Sequence, residues 1–565
     1  MDFTQVTYKR PNSATYLAAI AAGAHELAAA KDADAAVAVA SRITDLINDT
    51  ESMGMIAQIR HTIDTRDAFY AAEDEFWNDF GPQADEAQTA YLKAVLDSPF
   101  KEALGTLYPK PYFLKAKNLL QTNKPEVIAL QQKANALASA YTNLIASAQV
   151  DFNGQTYTLA QLGPLRDDAD RAVRKGANEA YWGFFAAHEA EFDKLYDDMV
   201  HTRTAIAQKL GFKDFSEMSY VFMDRFDYDE EMVATYRHEV QTKVVPLVLK
   251  QRAKQAKRLG LDHLAYYDLG VQFKSGNATP EGTAEELVAA AQQMYHEMSP
   301  EAGDFFDHMI SDHLLDLLAK PGKASGGYAE YIPAIRSPFI FANFNGTSGD
   351  VDVLTHEAGH AFQTYLAKWI RPGDCVFPTF EAAEIFSMSM EFIAYPWMSH
   401  FFGKQTAKYK YAHLQAALEF LPYGILVDLY QHQVYTHPDW TPAERKAEWR
   451  RLEKLYNPDK DYAENPDLER GIYWMRQGHI FESPFYYIDY TIAQVVAYQF
   501  WKRFNVDHDP KAWTDYETMA KAGGSQTLLE LLATGHLRSP FAPGALDELL
   551  AAIQQALDAV DDASL

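Results

Sequence analysis

Apolar residues recur at intervals of three and four along most of this 565-residue chain. A sequence patterned that way buries its core by packing helices on one another. The clearest case follows Asn123-Lys124-Pro125-Glu126, where a capping residue, an early proline and an acidic third position predict a helix start. From there Val127, Leu130, Ala134, Leu137, Tyr141 and Leu144 form one stripe. It is too short for an oligomer-forming coiled coil and suits an antiparallel helical hairpin. Strand signals are few. Residues 150–159 alternate around Asn153-Gly154, a preferred two-residue hairpin turn. A second β-like region spans 327–345, with Tyr328 to Ile332 followed by Pro338 to Phe344. Gly/Ser-rich punctuation at 322–327, 346–349 and 523–525 is expected to form mobile loops. The fold class is therefore mainly α with a small β-sheet. The hairpin near Asn153 marks the expected seam between an N-terminal helical region, 1–160, and the remainder, 161–565.

Asp and Glu total 78 against 51 for Lys and Arg, a formal charge of -27. A surface this acidic repels nucleic acid and anionic lipid head groups, so neither is an expected partner. The single cysteine, Cys375, cannot form an internal disulfide and reads as a small buried side chain in a reducing compartment. Met1-Asp2-Phe3-Thr4-Gln5 lacks the basic start and apolar stretch of a signal peptide. The alanine-rich segment 17–40 is interrupted by His25, Glu26, Lys31, Asp32 and Asp34, and no stretch has the length of a membrane span. The expected location is cytoplasmic.

The chemistry is concentrated in His356-Glu357-Ala358-Gly359-His360. Two histidines four apart on a helix share a face, so both imidazoles reach one ion, and the glutamate beside the first can hold a water bound to it. Asp350 and Asp352 stand just before, where either can cap the helix. Gly359 inside the helix costs about 1 kcal/mol relative to alanine, which suits close approach of another backbone or tight packing. A catalytic zinc site needs a third protein ligand and one open position. The helix-like segment from Phe380 to Phe392 offers Glu384 and, one turn earlier, Glu381. Spacing favours Glu384 without excluding Glu381. Glu391, seven beyond Glu384, suits a carboxylate accepting a hydrogen bond from a liganding imidazole.

These residues resemble the thimet oligopeptidase and oligoendopeptidase F family of zinc peptidases. The resemblance rests on His356-Glu357-Ala358-Gly359-His360-Ala361-Phe362-Gln363 and on Glu384-x-x-Ser387-x-x-x-Glu391, and is nearest to the bacterial Pz-peptidase-like branch. It continues through Gly478-His479-Ile480-Phe481, the tyrosine-rich stretch from Phe485 to Tyr490, and Gly523-Gly524-Ser525. The resemblance implies Glu384 as third ligand of one zinc ion. It also implies a helical ellipsoid whose two halves flank a deep channel with zinc on its floor, admitting short peptides and excluding folded proteins.

On that footing His356, His360 and Glu384 hold Zn2+ and Glu357 is the general base. The resemblance further implies oxyanion donors from His479 and Tyr490, with Tyr486 and Tyr487 as further candidates. Here the sequence departs from the thimet branch: the tyrosine spacing differs, and Glu482-Ser483-Pro484 stands where that branch has glycines. The expected activity is internal cleavage of short unstructured peptides. The alternatives are a channel-type zinc carboxypeptidase, whose usual His-Glu-Ser-Gln-Ser segment is absent, and a non-catalytic peptide-binding scaffold. Oligomeric state and cleavage preference are not written in the sequence.

Overall fold

A computed structural model describes residues 2–320, 322–324 and 326–560, and the chain in it is mainly helical. It divides into two compact units, each assembled from separated stretches. The first holds Met1–Asn123, Thr279–Thr406 and Val496–Ser539; the second holds Lys124–Ala278, Ala407–Val495 and Pro540–Leu565.

In the first unit, helices Ser13–Ala28, Ala33–Ile63 and Ala68–Asp97 start where Asn12, Asp32 and Asp67 accept hydrogen bonds from backbone N–H groups of the first turn. Such caps satisfy donors that a helix cannot pair internally. Their apolar faces meet through Tyr16, Ile20, Leu27, Ile43, Phe80, Tyr91 and Val95, and the same cluster takes in Tyr331, Ala367 and Cys375. Cys375 is buried, as expected.

A three-stranded sheet lies in this unit: β3 (Leu315–Leu318), β4 (Tyr328–Ile332) and β5 (Ser337–Phe344), in the order β3-β5-β4. β5 is parallel to β3 and antiparallel to β4, pairing Ala329 with Ile340 and Tyr331 with Pro338. As the central strand, β5 is buried at every position except Asn343, hence its unbroken apolar run. β4 and β5 match the expected β-region, whereas β3 carries no strand signal because it is only four residues long.

The second unit contains the expected hairpin, β1 (Val150–Phe152) paired antiparallel with β2 (Gln155–Tyr157), so the seam expected at Asn153 falls inside it. Asn153 and Gly154 both have positive φ, as the turn requires. The stripe from Val127 to Leu144 is buried or half-buried at each position. Asn123, however, ends the preceding helix, Lys110–Thr122, and does not cap the next. The new helix opens instead through a tight turn at Pro125–Val127. The stretch 523–525 also differs from expectation. Gly523 and Gly524 are buried, and a Cβ on Gly524 would lie 2.2 Å from the Cys375 carbonyl and 2.3 Å from that of Phe377. These glycines permit backbone contact, and they form no mobile loop. Of the stretch 322–327, Ser325 lies outside the described residues. Among the described residues no helix is long and apolar enough to cross a membrane.

Candidate metal centre

The helix Gly349–Ala367 carries His356, Glu357 and His360, and the helix Phe380–Ile393 carries Glu384 and Glu391. Gly359 explains how the two approach. A Cβ there would meet the Phe386 carbonyl at 2.6 Å and the Ser387 Cα at 2.7 Å, so only glycine lets the helices lie this close. The turn leading in is fixed by Asp350. Its carboxylate accepts N–H groups of Asn345 and Gly346 at 2.9 and 2.7 Å. Asp350 thus ties the helix back to the end of β5. The N-cap position belongs to Ser348, so neither aspartate caps the helix as expected.

Ligand atoms of His356, His360 and Glu384 lie within 4.8 Å of one another. Glu384 Oε2 is 3.3 Å from His356 Nε2 and 3.4 Å from His360 Nε2. Burial pushes the Glu384 carboxyl up, but His360 and His356 beside it hold it well below the usual carboxylate range, so it is available as a charged ligand. Its orientation is fixed by the Ser387 hydroxyl, which donates to Glu384 Oε2 at 3.0 Å. Two imidazoles and one carboxylate converging on one point form a donor set suited to a catalytic divalent metal, with room for a further ligand. Glu381 does not join them, since its Oε1 accepts a hydrogen bond from Thr379 at 2.7 Å.

His356 Nδ1 lies 2.7 Å from Glu391 Oε1, the arrangement that fixes a ligand's tautomer and ring orientation. Glu357 Oε2 is buried without a hydrogen-bond partner, and burial raises its carboxyl. Gly327, at the entry to edge strand β4, stands next to it: a Cβ there would lie 3.5 Å from Glu357 Oε1.

In the second unit His479 is the hub of a tyrosine cluster. Its ring centroid is 4.9 Å from Tyr487, 5.8 Å from Tyr490 and 6.1 Å from Tyr486. Tyr486 and Tyr490 touch each other at 5.1 Å, as their four-residue spacing suggests. All four side chains are half-buried, with part of each still open to solvent. Burial pushes the Tyr487 hydroxyl up to about 12, leaving it a hydrogen-bond donor at neutral pH.

Residues 165–550 match peptidase family M3, and residues 3–123 match the M3 peptidase N-terminal domain. The chain belongs to peptidase family M3. Its structure is similar to that of Pz peptidase A, solved with an inhibitor, at 46% identity and TM-score 0.94, covering 99% of this chain and 100% of that one. It is 21% identical over 509 residues to oligopeptidase PepF of Bacillus subtilis, covering 84% of this chain and 73% of the relative. It is likewise 21% identical over 389 residues to the oligoendopeptidase F homologue of Lactococcus lactis, where the match spans 64% of this chain and only 62% of the relative. The family resemblance and the mainly α fold read from the sequence are both upheld, and M3 membership implies a divalent metal.

What the sequence of this M3 chain did not reveal is how the His479 segment is held. Arg203 donates to Tyr435 Oη at 2.9 Å, to the Ile480 carbonyl at 3.0 Å and to the Phe481 carbonyl. Phe485 adopts φ +65, rare for a bulky residue. Its N–H donates to Gln431 Oε1 at 3.0 Å, and its carbonyl accepts from Arg225 at 2.7 Å. Gln477 lies 2.9 Å from His479 Nδ1 and accepts the Tyr423 hydroxyl at 2.8 Å. Gln477 is local to the segment, but Arg203, Arg225, Gln431 and Tyr423 come from distant stretches, so only the fold brings them there.

Proposed function

We propose that this M3 chain is a zinc-dependent endopeptidase of short, unstructured oligopeptides. The observation that carries the reading is the meeting of His356, His360 and Glu384 around one point, with Glu357 on the same helix. Zinc held by these residues would polarise the scissile carbonyl and make water a stronger acid. Glu357 then takes a proton from the attacking water and passes it to the leaving amine. Its raised affinity for protons suits it to both halves of that exchange. Glu391 keeps His356 in one orientation. His479, Tyr490 and Tyr486 serve as hydrogen-bond donors to the developing oxyanion, with Tyr487 as a further donor. An extended peptide pairs along β4, whose entry adjoins Glu357.

Glu357→Gln is the decisive variant. It keeps the shape of the side chain and all three ligands but removes the proton-accepting carboxylate, so it should bind zinc like the parent while losing at least about a thousandfold in kcat. A variant that stays active removes Glu357 from the mechanism. An amidated peptide tests the carboxypeptidase alternative, because continued internal cleavage excludes an obligatory need for a free C-terminus.

A further inference from the structure

Beside the His479 cluster, the second unit concentrates positive charge against tyrosine rings. The Arg476 guanidinium lies 4.8 Å from the Tyr473 ring centroid and 5.6 Å from that of Tyr423. Lys460 Nζ stands 3.5 Å from the same Tyr473 centroid. Burial pushes the Tyr423 hydroxyl up, whereas Arg476, Lys460 and Arg166 outweigh burial at Tyr473 and bring its hydroxyl below the ordinary value.

Arg476 differs from Arg203 and Arg225. Arg203 donates to two carbonyls, and Arg225 donates to one and is joined to Asp489. Arg476 Nε has no hydrogen-bond partner, and no carboxylate of a described residue lies within ion-pair distance of the side chain. Lys460 Nζ reaches Glu453 Oε1 at 3.4 Å, but that buried carboxylate is shared with Arg450 and the Tyr462 hydroxyl. The chain carries 78 acidic residues against 51 basic ones, so a half-buried guanidinium with no carboxylate beside it stands out. Desolvating it without an anion costs free energy that rings alone repay only in part.

The position of this cation is informative. Arg476 ends the turn Tyr473–Arg476, directly before the short helix that carries His479. A continuous path joins them: the Tyr423 ring beside Arg476 lies 5.8 Å from the Tyr487 ring, and Tyr487 contacts His479 at 4.9 Å. We propose that Arg476, backed by Lys460, receives a carboxylate of the peptide substrate alongside the His479–Tyr487 surface. This rests on the peptidase reading, because a peptide seated at His479 is what brings a carboxylate within reach. A guanidinium matches a carboxylate with two parallel N–H donors, and the aromatic walls limit screening by water.

The test uses metal-loaded Glu357→Gln protein, so that binding is read without turnover. Two peptide pairs are titrated by fluorescence anisotropy. One pair differs only in C-terminal carboxylate against amide, the other only in an internal Glu against Gln. A preference on the order of tenfold for the charged member is expected in at least one pair. The first pair identifies a terminal carboxylate and the second a side chain. In Arg476→Met the ratio should fall towards one, and in Arg476→Lys only the part due to charge alone should survive. A preference unchanged in Arg476→Met, or absent from both pairs in the parent, overturns the assignment. The parent titration alone is decisive if Arg476→Met fails to fold. Should metal-loaded wild-type protein cleave no peptide while the carboxylate preference persists, the peptidase reading fails and this site stands. Cleavage without any such preference leaves the peptidase and removes the site.

Discussion

Single atoms decide how close the helices of His356 and Glu384 come. Alanine at 359 would force its methyl into the Phe386 carbonyl and the Ser387 Cα, both backbone atoms that cannot swing away. Gly359→Ala should therefore cost about 1–3 kcal/mol in urea unfolding and weaken zinc binding by spreading His356 and His360 from Glu384. Glu384→Ala should lower metal affinity by at least about a hundredfold in a chelator competition, whereas Glu381→Ala should leave it nearly unchanged. The reverse result would reassign the third ligand. The histidine pair and the Glu384–Glu391 spacing were legible because both rest on the local period of one helix. The choice between Glu381 and Glu384 was not settled by spacing, since one helical turn separates them. What distinguishes them in the fold is the hydrogen bond from Thr379 that occupies Glu381.

At the scale of elements, the turn at Phe485 joins the helix Gly478–Glu482 to the helix Tyr487–Trp501. Its left-handed backbone persists because Gln431 and Arg225 hold both of its polar groups. Arg225→Met removes the donor to that carbonyl and the countercharge of the buried Asp489. The loss should be about 3–5 kcal/mol of stability, read in urea unfolding. Arg225→Lys should recover part of it. Nothing in the sequence near Phe485 announces this turn, because the stabilising side chains come from distant elements. The same reason defeats the reading of 523–525 as a loop: glycine marks backbone freedom and close contact alike, and only the neighbours at Cys375 and Phe377 distinguish them.

The long helix Ala33–Ile63 supplies a pH-dependent element. Burial, with Asp374 adding to it, pushes the Glu51 carboxyl up to about 7, while a hydrogen bond from Gln88 opposes the rise. A folded-state value above the unfolded one means that the native protein holds the extra proton between roughly pH 4.5 and 7. Stability from this group is present in full below the unfolded value and is lost as pH rises through about 7. Glu51→Gln should therefore raise the melting temperature at pH 8 and do little at pH 4.5. An equal effect at both would show that Glu51 ionises normally in the fold.

For the molecule as a whole, the separation into interleaved stretches was invisible in the sequence, since periodicity describes neighbours a few residues apart. Each unit closes long loops, and neither can form until distant segments meet. His356, His360 and Glu384, the proposed metal ligands, nevertheless all lie within one stretch of the first unit, Thr279–Thr406. An ion bound there clips the helix Gly349–Ala367 to the helix Phe380–Ile393 and binds only when both are folded. Free zinc at about a thousand times its dissociation constant should add about 4 kcal/mol to the stability of that unit. In calorimetry, chelation should lower the transition that carries the first unit by several degrees, and His356→Ala should abolish the difference between metal-free and metal-loaded protein. A transition of the second unit moving in parallel would show that the two unfold as one cooperative body. If zinc moves no transition at all, His356, His360 and Glu384 do not hold the metal.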